Sequence, residues 1–129
     1  MYYRKCDGII IIYDVTNKES FDRINYWVKT INDNTDSNKK IHTIIVGNKI
    51  DLDHERKILE EEGKKMAEAY SLKYFETSAK ENIGINEFMK IFIKDIINEK
   101  DKPNDEKNNE TIQLENRNKN EAQNWLCCG

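Results

Sequence analysis

The stretch that most constrains the fold is a short apolar run that gives way abruptly to polar residues. Residues Ile41–Val46 are apolar and β-branched apart from His42 and Thr43, and Gly47 closes the run. A run of this kind, bounded by glycine, is typical of a strand that is covered on both faces, as in parallel sheets. The sequence therefore predicts a buried parallel strand at this position.

Two further strands are predicted, one before and one after this run. Gly8–Tyr13 is a second nearly continuous apolar run, and Lys73–Thr77 has the length and pattern of a short third strand. A helix is predicted to start at Thr16, because Thr16 and Glu19 have capping-box spacing. The residues 32–40 are polar and predict a loop.

Apolar residues recur at helical spacing after each of the three strands. They are Phe21, Ile24, Trp27, Val28 and Ile31 in the first helix, Leu59, Met66, Ala67 and Tyr70 in the second, and Phe88, Ile91, Phe92 and Ile96 in the third. The last helix is predicted to cover Asn86–Ile97. Three strand–helix units in this order predict an α/β fold with right-handed crossovers and a three-layer parallel sheet.

Polar residues at the end of the Ile41–Val46 strand predict a ligand site. Open α/β sheets bind ligands at the carboxyl ends of their strands, which is where Asn48, Lys49 and Asp51 fall. The two oxygens of Asp51 match two neighbouring N–H donors on a planar base, a pair that guanine has and adenine lacks. An ordinary strand-to-loop turn can have the same residues, and Asn-Lys pairs that do not follow an apolar strand ending in glycine occur at Asn17 and Asn118.

A second polar segment follows the third predicted strand. Ser78, Ala79 and Lys80 form a strand-end turn, which can present a backbone N–H to a ligand carbonyl such as guanine O6. The aliphatic stems of Lys49 and Lys80 can cover the two faces of a flat base. Because the carboxyl ends of neighbouring parallel strands meet at one edge, this turn and Asp51 predict a shared base pocket.

Charge and hydropathy argue against nucleic-acid binding and against a membrane-spanning helix. The 24 acidic and 21 basic residues give a net charge of −3, and no basic stripe is present to neutralise nucleic-acid phosphates. No apolar run approaches the ~20 residues of a membrane helix, and residues 1–7 lack the apolar core of a secretory signal. We expect a cytosolic origin, with Cys6 as a small buried residue.

The character of the chain changes at Asn98. Residues 98–126 contain the only proline and almost no apolar side chains, and the stretch from Glu99 to Asn124 has seven acids against five bases. A segment of this composition cannot bury enough surface to offset its ordering entropy, so it is predicted to be disordered. It is also not a polybasic membrane patch.

These motifs together resemble the second half of a Rab-type small GTPase of the Ras superfamily. The resemblance covers residues 1–97, and the segments that carry it are Tyr2-Tyr3-Arg4, Tyr13-Asp14-Val15-Thr16, Glu19-Ser20-Phe21, Trp27, Val46–Leu52 and Glu76–Lys80. The resemblance implies an incomplete Ras-like sheet, a role in vesicle and membrane trafficking, and binding of the guanine moiety of GTP or GDP. It places guanine recognition on Asn48, Lys49, Asp51, Ser78, Ala79 and Lys80.

The final residues, 127–129, also resemble this family. Cys127, Cys128 and the terminal glycine are similar to the double-cysteine terminus that receives two geranylgeranyl groups, and they do not form a CaaX box. The resemblance implies Rab escort protein and geranylgeranyl transferase as partners, and a lipid-anchored location on the cytoplasmic side of a membrane. Ile112 and Leu114 resemble the docking point for the escort protein, or they are a chance apolar pair in the tail.

The motifs of the first half of the family have no counterpart in the 129 residues. No Gly-x4-Gly-Lys phosphate loop, magnesium ligand or Asp-x-x-Gly motif is present, so no catalytic residue and no metal site are assigned. We expect weak or undetectable nucleotide binding, and an open edge on the Gly8–Tyr13 strand. Alternatives are a truncated, non-catalytic prenylated interaction module, a decayed-gene product, or a gene model that starts too late.

Overall fold

A computed structural model describes residue 3 and residues 5–101. Three strands are present in this part of the chain: β1 at Gly8–Asp14, β2 at His42–Asn48 and β3 at Lys73–Thr77. They form one parallel sheet in the order β1-β2-β3, so the predicted α/β parallel architecture is confirmed. The middle strand β2 carries the sequence run on which the prediction was based.

Helices cover both faces of this sheet. The described helices are α1 at Lys18–Asp22, α2 at Ile24–Asn34, α3 at Glu60–Ala69 and α4 at Ile85–Lys100, with a short 3-10 turn at Asp53–Glu55. None of them is both long enough and apolar enough to span a lipid bilayer. The resulting arrangement is the three-layer sandwich that the strand–helix alternation predicts.

Two separate apolar clusters fill the spaces between the sheet and the helices. The first face of the sheet packs against α1, α2 and α3, with buried residues Ile11, Tyr13, Val15, Phe21, Ile24, Val28, Ile31, Ile45, Ile58 and Ala67. On the second face, α4 is the one described helix that packs against the sheet, through Ile44, Val46, Phe88 and Phe92. Alternate residues of β1 and β2 point to opposite faces, which is why consecutive isoleucines belong to different clusters.

The start of the first helix differs from the prediction. Thr16 does not cap it; the side chain of Asn17 does, accepting a hydrogen bond from the Ser20 backbone N–H at 3.1 Å. The Thr16 hydroxyl is instead bonded to Asp14. The helical stretch is also divided at Arg23 into α1 and α2.

Three apolar positions or boundaries in the helices were predicted wrongly. Trp27 is 43% exposed and Leu59 is 62% exposed, because each lies on the solvent side of its helix or at its start. The predicted loop at residues 32–40 begins later, since α2 continues to Asn34.

Cys6, which was predicted to be buried, is half-buried. Its thiol donates a hydrogen bond to the carbonyl of Tyr3 at 3.1 Å.

The last helix is longer than predicted. It runs to Lys100, so residues 98–100 belong to α4 and not to a disordered tail. Two ion pairs hold its last turn: Lys100 contacts Asp7 at 2.8 Å, and Glu99 contacts Lys40 at 2.5 Å. Residues 102–129, which include Ile112, Leu114, Cys127 and Cys128, lie outside the described residues.

Gly63 marks a close approach between α3 and β3. A Cβ atom at this position would lie 2.4 Å from the Tyr74 hydroxyl, so only glycine lets the helix pack this closely on that side chain. The expected helix-propensity cost of this glycine is therefore offset by packing. The Tyr74 hydroxyl is also hydrogen-bonded to Tyr13 and Glu76.

Candidate base-binding site

The carboxyl ends of the three strands meet at one edge of the sheet. Asn48 is the last residue of β2 and pairs in register with Thr77, the last residue of β3, on one side. On the other side it pairs with Asp14, the last residue of β1. The Val15 backbone N–H donates to the Asn48 carbonyl at 3.0 Å, and so β1 is joined to the start of the Asn48–Asp51 loop.

The side chain of Asn48 ties the two predicted loops together. Its amide oxygen accepts hydrogen bonds from the Thr77 hydroxyl at 3.0 Å and from the Ala79 backbone N–H at 3.1 Å. A carbonyl oxygen has two lone pairs, so both are used. The Asn48 side chain therefore holds the Ser78-Ala79 turn in place, and its hydrogen bond fixes the direction of the Ala79 N–H.

Asp51 is held by the second loop. The Ser78 hydroxyl donates to Asp51 Oδ1 at 2.7 Å and accepts from the Glu81 backbone N–H at 3.1 Å. Ser78 is fully buried, and its backbone pairs with Ile83 in both directions at 2.9 and 3.0 Å. Within the described residues, Asp51 Oδ2 accepts no hydrogen bond, which leaves a fixed carboxylate with a free edge.

The two lysines differ from one another. Lys49 has a φ of 71°, in the left-handed region that L-residues rarely adopt, and its ammonium group lies 2.7 Å from Asp14 Oδ2. Lys80 is exposed, and in the described part of the chain its side chain makes no hydrogen bond or ion pair. The structure therefore brings Asn48, Asp51, Ser78 and Ala79 into contact and leaves the Lys80 side chain separate.

Sequence reasoning gave no role to Asp14. Its Oδ1 atom accepts from the Thr16 backbone N–H at 2.8 Å and from the Thr16 hydroxyl at 2.7 Å, while Oδ2 faces Lys49. Burial raises the pKa of the Asp14 carboxyl, but the hydrogen bonds from Lys49 and Thr16 outweigh it and leave the pKa below its usual value. The hydrogen bond that Lys49 donates to Asp14 raises the pKa of Lys49. The strand-end rule that located Asn48 applies equally to Asp14.

A buried polar network supports the loops from below. Tyr74 donates to Glu76 at 2.7 Å and lies 2.7 Å from the Tyr13 hydroxyl, so Tyr13 is the donor between the two phenols. Glu76 also forms a two-pronged ion pair with Arg56, whose Nε donates to the Ile58 carbonyl at 2.6 Å. Because Glu76 directly precedes Thr77, this network fixes the end of β3.

The two loops present a carboxylate acceptor beside a backbone donor. The free edge of Asp51 is an acceptor for N–H groups, whereas the one hydrogen of the Ala79 N–H is donated to the Asn48 amide oxygen and reaches a ligand carbonyl only when it is shared with or released from that oxygen. Among residues 3 and 5–101, no three His, Cys, Asp or Glu side chains are grouped closely enough to hold a metal ion.

The chain is similar in sequence to known proteins. A family model described as the Ras family matches residues 1–98. Ras-related protein Rab-13 of Mesocricetus auratus is 36% identical over 96 residues, covering 74% of this chain and 46% of that protein. RabC of Dictyostelium discoideum is 42% identical over 95 residues, covering 74% and 47%. Rab-8A of Bos taurus is 38% identical over 101 residues, covering 78% and 48%.

The fold and the site define the class: a three-layer α/β protein whose loops converge at the carboxyl edge of a parallel sheet. The chain belongs to the Ras family and is a Rab-type member represented in part. It spans just under half the length of the curated relatives that it matches. Guanine-nucleotide binding is a general property of this family, and the predicted family resemblance is confirmed.

Proposed function

We propose that the chain supplies the guanine-recognising part of a Rab-type small GTPase that acts in vesicle and membrane trafficking. The observation that carries the proposal is the hydrogen bonding of the Asp51 carboxylate. Buried Ser78 donates to Oδ1, and Oδ2 accepts no hydrogen bond from the described residues. A carboxylate held in this way selects a base with two adjacent N–H donors. Guanine is the common base with that pair.

The remaining contacts follow from the same geometry. Guanine O6 accepts from a backbone N–H of the turn at Ala79 and Lys80, and the Ala79 N–H reaches it by sharing its one hydrogen with the Asn48 amide oxygen. The stems of Lys49 and Lys80 cover the faces of the ring. Adenine presents an acceptor where guanine presents N1–H, so it would leave Asp51 without a partner.

The balance of free energies limits how tightly this part binds. About three hydrogen bonds, at ~1 kcal/mol each or more with a charged acceptor, supply about 3–6 kcal/mol. Association costs about 4–15 kcal/mol in lost translational and rotational freedom. The 129 residues contain no phosphate loop to add to the gain. The most favourable difference is about 2 kcal/mol, so we expect a guanosine Kd of about 30 mM or weaker. We assign GTP hydrolysis to no residue of this chain.

Nucleoside titrations followed by NMR test base recognition. The chain should show a preference for guanosine over adenosine, and Asp51→Asn should reduce guanosine affinity by about tenfold, one charge-assisted hydrogen bond. Asp53→Asn is the matched control, because Asp53 is an exposed carboxylate two residues away in the 3-10 turn. Equal binding of both nucleosides, or tight GTP binding with cleavage by these 129 residues, would contradict the proposal.

The carboxyl terminus supports the membrane part of the proposal. Cys127 and Cys128 are the acceptors for two geranylgeranyl groups, added by a geranylgeranyl transferase with an escort protein that docks at Ile112 and Leu114. Two chains give stable anchoring where one gives marginal binding, so the product sits on the cytoplasmic face of a cell or organelle membrane.

Mass spectrometry of protein isolated from eukaryotic cells tests lipidation. The chain should carry two lipid groups, and the double substitution Cys127→Ser and Cys128→Ser should remove both and release the protein to the cytosol. Cys6→Ser is the matched control, since Cys6 is half-buried beside Tyr3. An unmodified terminus would contradict this part.

A second candidate is a non-catalytic prenylated module that competes for the escort and transferase machinery. The combination of a double-cysteine terminus with no phosphate loop in the same 129 residues favours it. It predicts lipidation without any preference for guanosine. The two measurements above therefore separate the candidates, and a chain with neither property is a decayed-gene product.

A further inference from the structure

The position of Lys49 raises a question about charge within the base-binding site. Lys49 and Asp51 are two residues apart and have opposite charges, so the ammonium group of Lys49 is a natural partner for the carboxylate of Asp51. An ion pair between them would occupy the oxygen that is otherwise left for a base. The structure shows a different pairing.

The ammonium group of Lys49 is bound to Asp14. The distance from Nζ to Asp14 Oδ2 is 2.7 Å, and the backbone of Lys49 lies in the left-handed region at φ 71°. That backbone conformation is held on both sides, because the Asn48 carbonyl accepts from Val15 and the Ile50 N–H donates to Thr77 at 3.2 Å.

Asp14 is itself held in position. Its other oxygen, Oδ1, accepts two hydrogen bonds from Thr16, so the carboxylate cannot rotate away from Lys49 without losing them. The Asp14 side chain is 23% exposed, against 51% for Lys49. The fixed, less exposed partner therefore determines where the mobile cation lies.

We infer that Asp14 is a positioning residue of the guanine site, which holds Lys49 away from Asp51 and so keeps that carboxylate available to the base. This inference rests on the proposed function. It assigns a task to the end of β1, beside the two loops that contact the base. A surface ion pair contributes little to stability, so stability alone does not account for the Asp14–Lys49 pair. A positioning role also accounts for the two Thr16 hydrogen bonds that hold the Asp14 carboxylate.

The test is the ratio of guanosine to adenosine affinity in the complete chain. In Asp14→Asn, Lys49 is released to pair with Asp51, so guanosine affinity should fall about tenfold, the equivalent of one charge-assisted hydrogen bond. Adenosine affinity should not fall, because adenine makes no hydrogen bond to Asp51 and loses none when Lys49 pairs with it. Loss of selectivity separates this role from a structural one, which would weaken both nucleosides equally.

Two further variants complete the design. Asp14→Glu retains a carboxylate opposite Lys49 and should keep guanosine affinity within about threefold of the wild type. Asp7→Asn is the matched control: it removes an Asp–Lys pair of 2.8 Å at the other end of β1, with Lys100, and should leave the ratio unchanged.

The outcomes are distinguishable. If the wild-type chain prefers guanosine and Asp14→Asn keeps that preference, or loses affinity for both nucleosides equally, the inference is wrong and the proposed function stands. If the wild-type chain shows no preference, both are overturned. Thermal unfolding of each variant verifies that the titrations report on folded protein.

Discussion

Two consecutive residues of β1 show how differently the two faces of the sheet are covered. Tyr13 is 2% exposed, whereas Ile12 is 60% exposed. Tyr13 lies on the face that packs against α1, α2 and α3. Ile12 lies on the opposite face, where α4 is the covering helix in the described part of the chain.

The path of α4 explains the exposure of Ile12. At the amino end of β1 this helix comes so close that a Cβ on Gly8 would lie 2.5 Å from the Phe92 ring. At the carboxyl end it covers β2 instead, since Val46 is 1% exposed while its register partner Ile12 is open. The second face is therefore closed over β2 and open over the end of β1, next to the base-binding site.

The largest expected effect contrasts two isoleucines on this second face. Ile44→Ala should lower the free energy of unfolding by about 2–5 kcal/mol, because Ile44 is fully buried and the change removes apolar contacts and leaves a cavity. Ile12→Ala should lower it by less than about 1 kcal/mol, since the side chain is already mostly in water.

Urea unfolding of the two variants gives both values. Equal losses would mean that Ile12 is covered as well as Ile44, and the proposed difference within the second face would be wrong.

The sequence predicted the parts of this contrast that depend on local pattern. The apolar runs in β1 and β2 located the strands, and the helical spacing of Phe88 and Phe92 located the helix that covers β2. Strand ends followed by polar residues located Asn48, Asp51 and Ser78, which the structure brings into contact.

What the sequence could not predict depends on three-dimensional choices between similar residues. The pattern of GIIIIYD assigns faces to its isoleucines but not the point where α4 crosses from β1 to β2. Likewise, Lys49 could pair with Asp14 or Asp51, and only the left-handed backbone and the Thr16 bonds decide between them. Trp27 was misplaced for the same reason, since helical period alone does not define the width of a buried face.

The next effect tests burial on the first face of the sheet, where Tyr13 lies, through the pH dependence of stability. Burial raises the pKa of the Tyr13 phenol to about 12, from an ordinary value of 10.0, and the pKa of Tyr74 is raised for the same reason. The folded state thus keeps the proton while the unfolded state loses it. Stability from Tyr13 is complete below pH 10 and is lost as the pH rises to about 12, with a cost of about 3 kcal/mol.

Denaturant unfolding at several alkaline pH values measures this loss. Lysines also titrate there, so the comparison is with Tyr13→Phe, in which the decline between pH 10 and pH 12 should be smaller. Parallel pH profiles for the two proteins would show that burial on the first face of the sheet does not raise the pKa of the Tyr13 hydroxyl.

The smallest expected effect concerns association through the open end of β1. In the described part of the chain β1 is an edge strand, and its run Ile9–Ile12 has no charge or proline to discourage pairing with another strand. Ile12→Lys should reduce concentration-dependent association in sedimentation experiments and change the free energy of unfolding by less than about 1 kcal/mol. Ile93→Lys is the matched control, because Ile93 is 48% exposed but lies on the helix α4 and not on a strand. If Ile93→Lys suppresses association as strongly as Ile12→Lys, the contact runs through the helix, and the open strand end is not the adhesive surface.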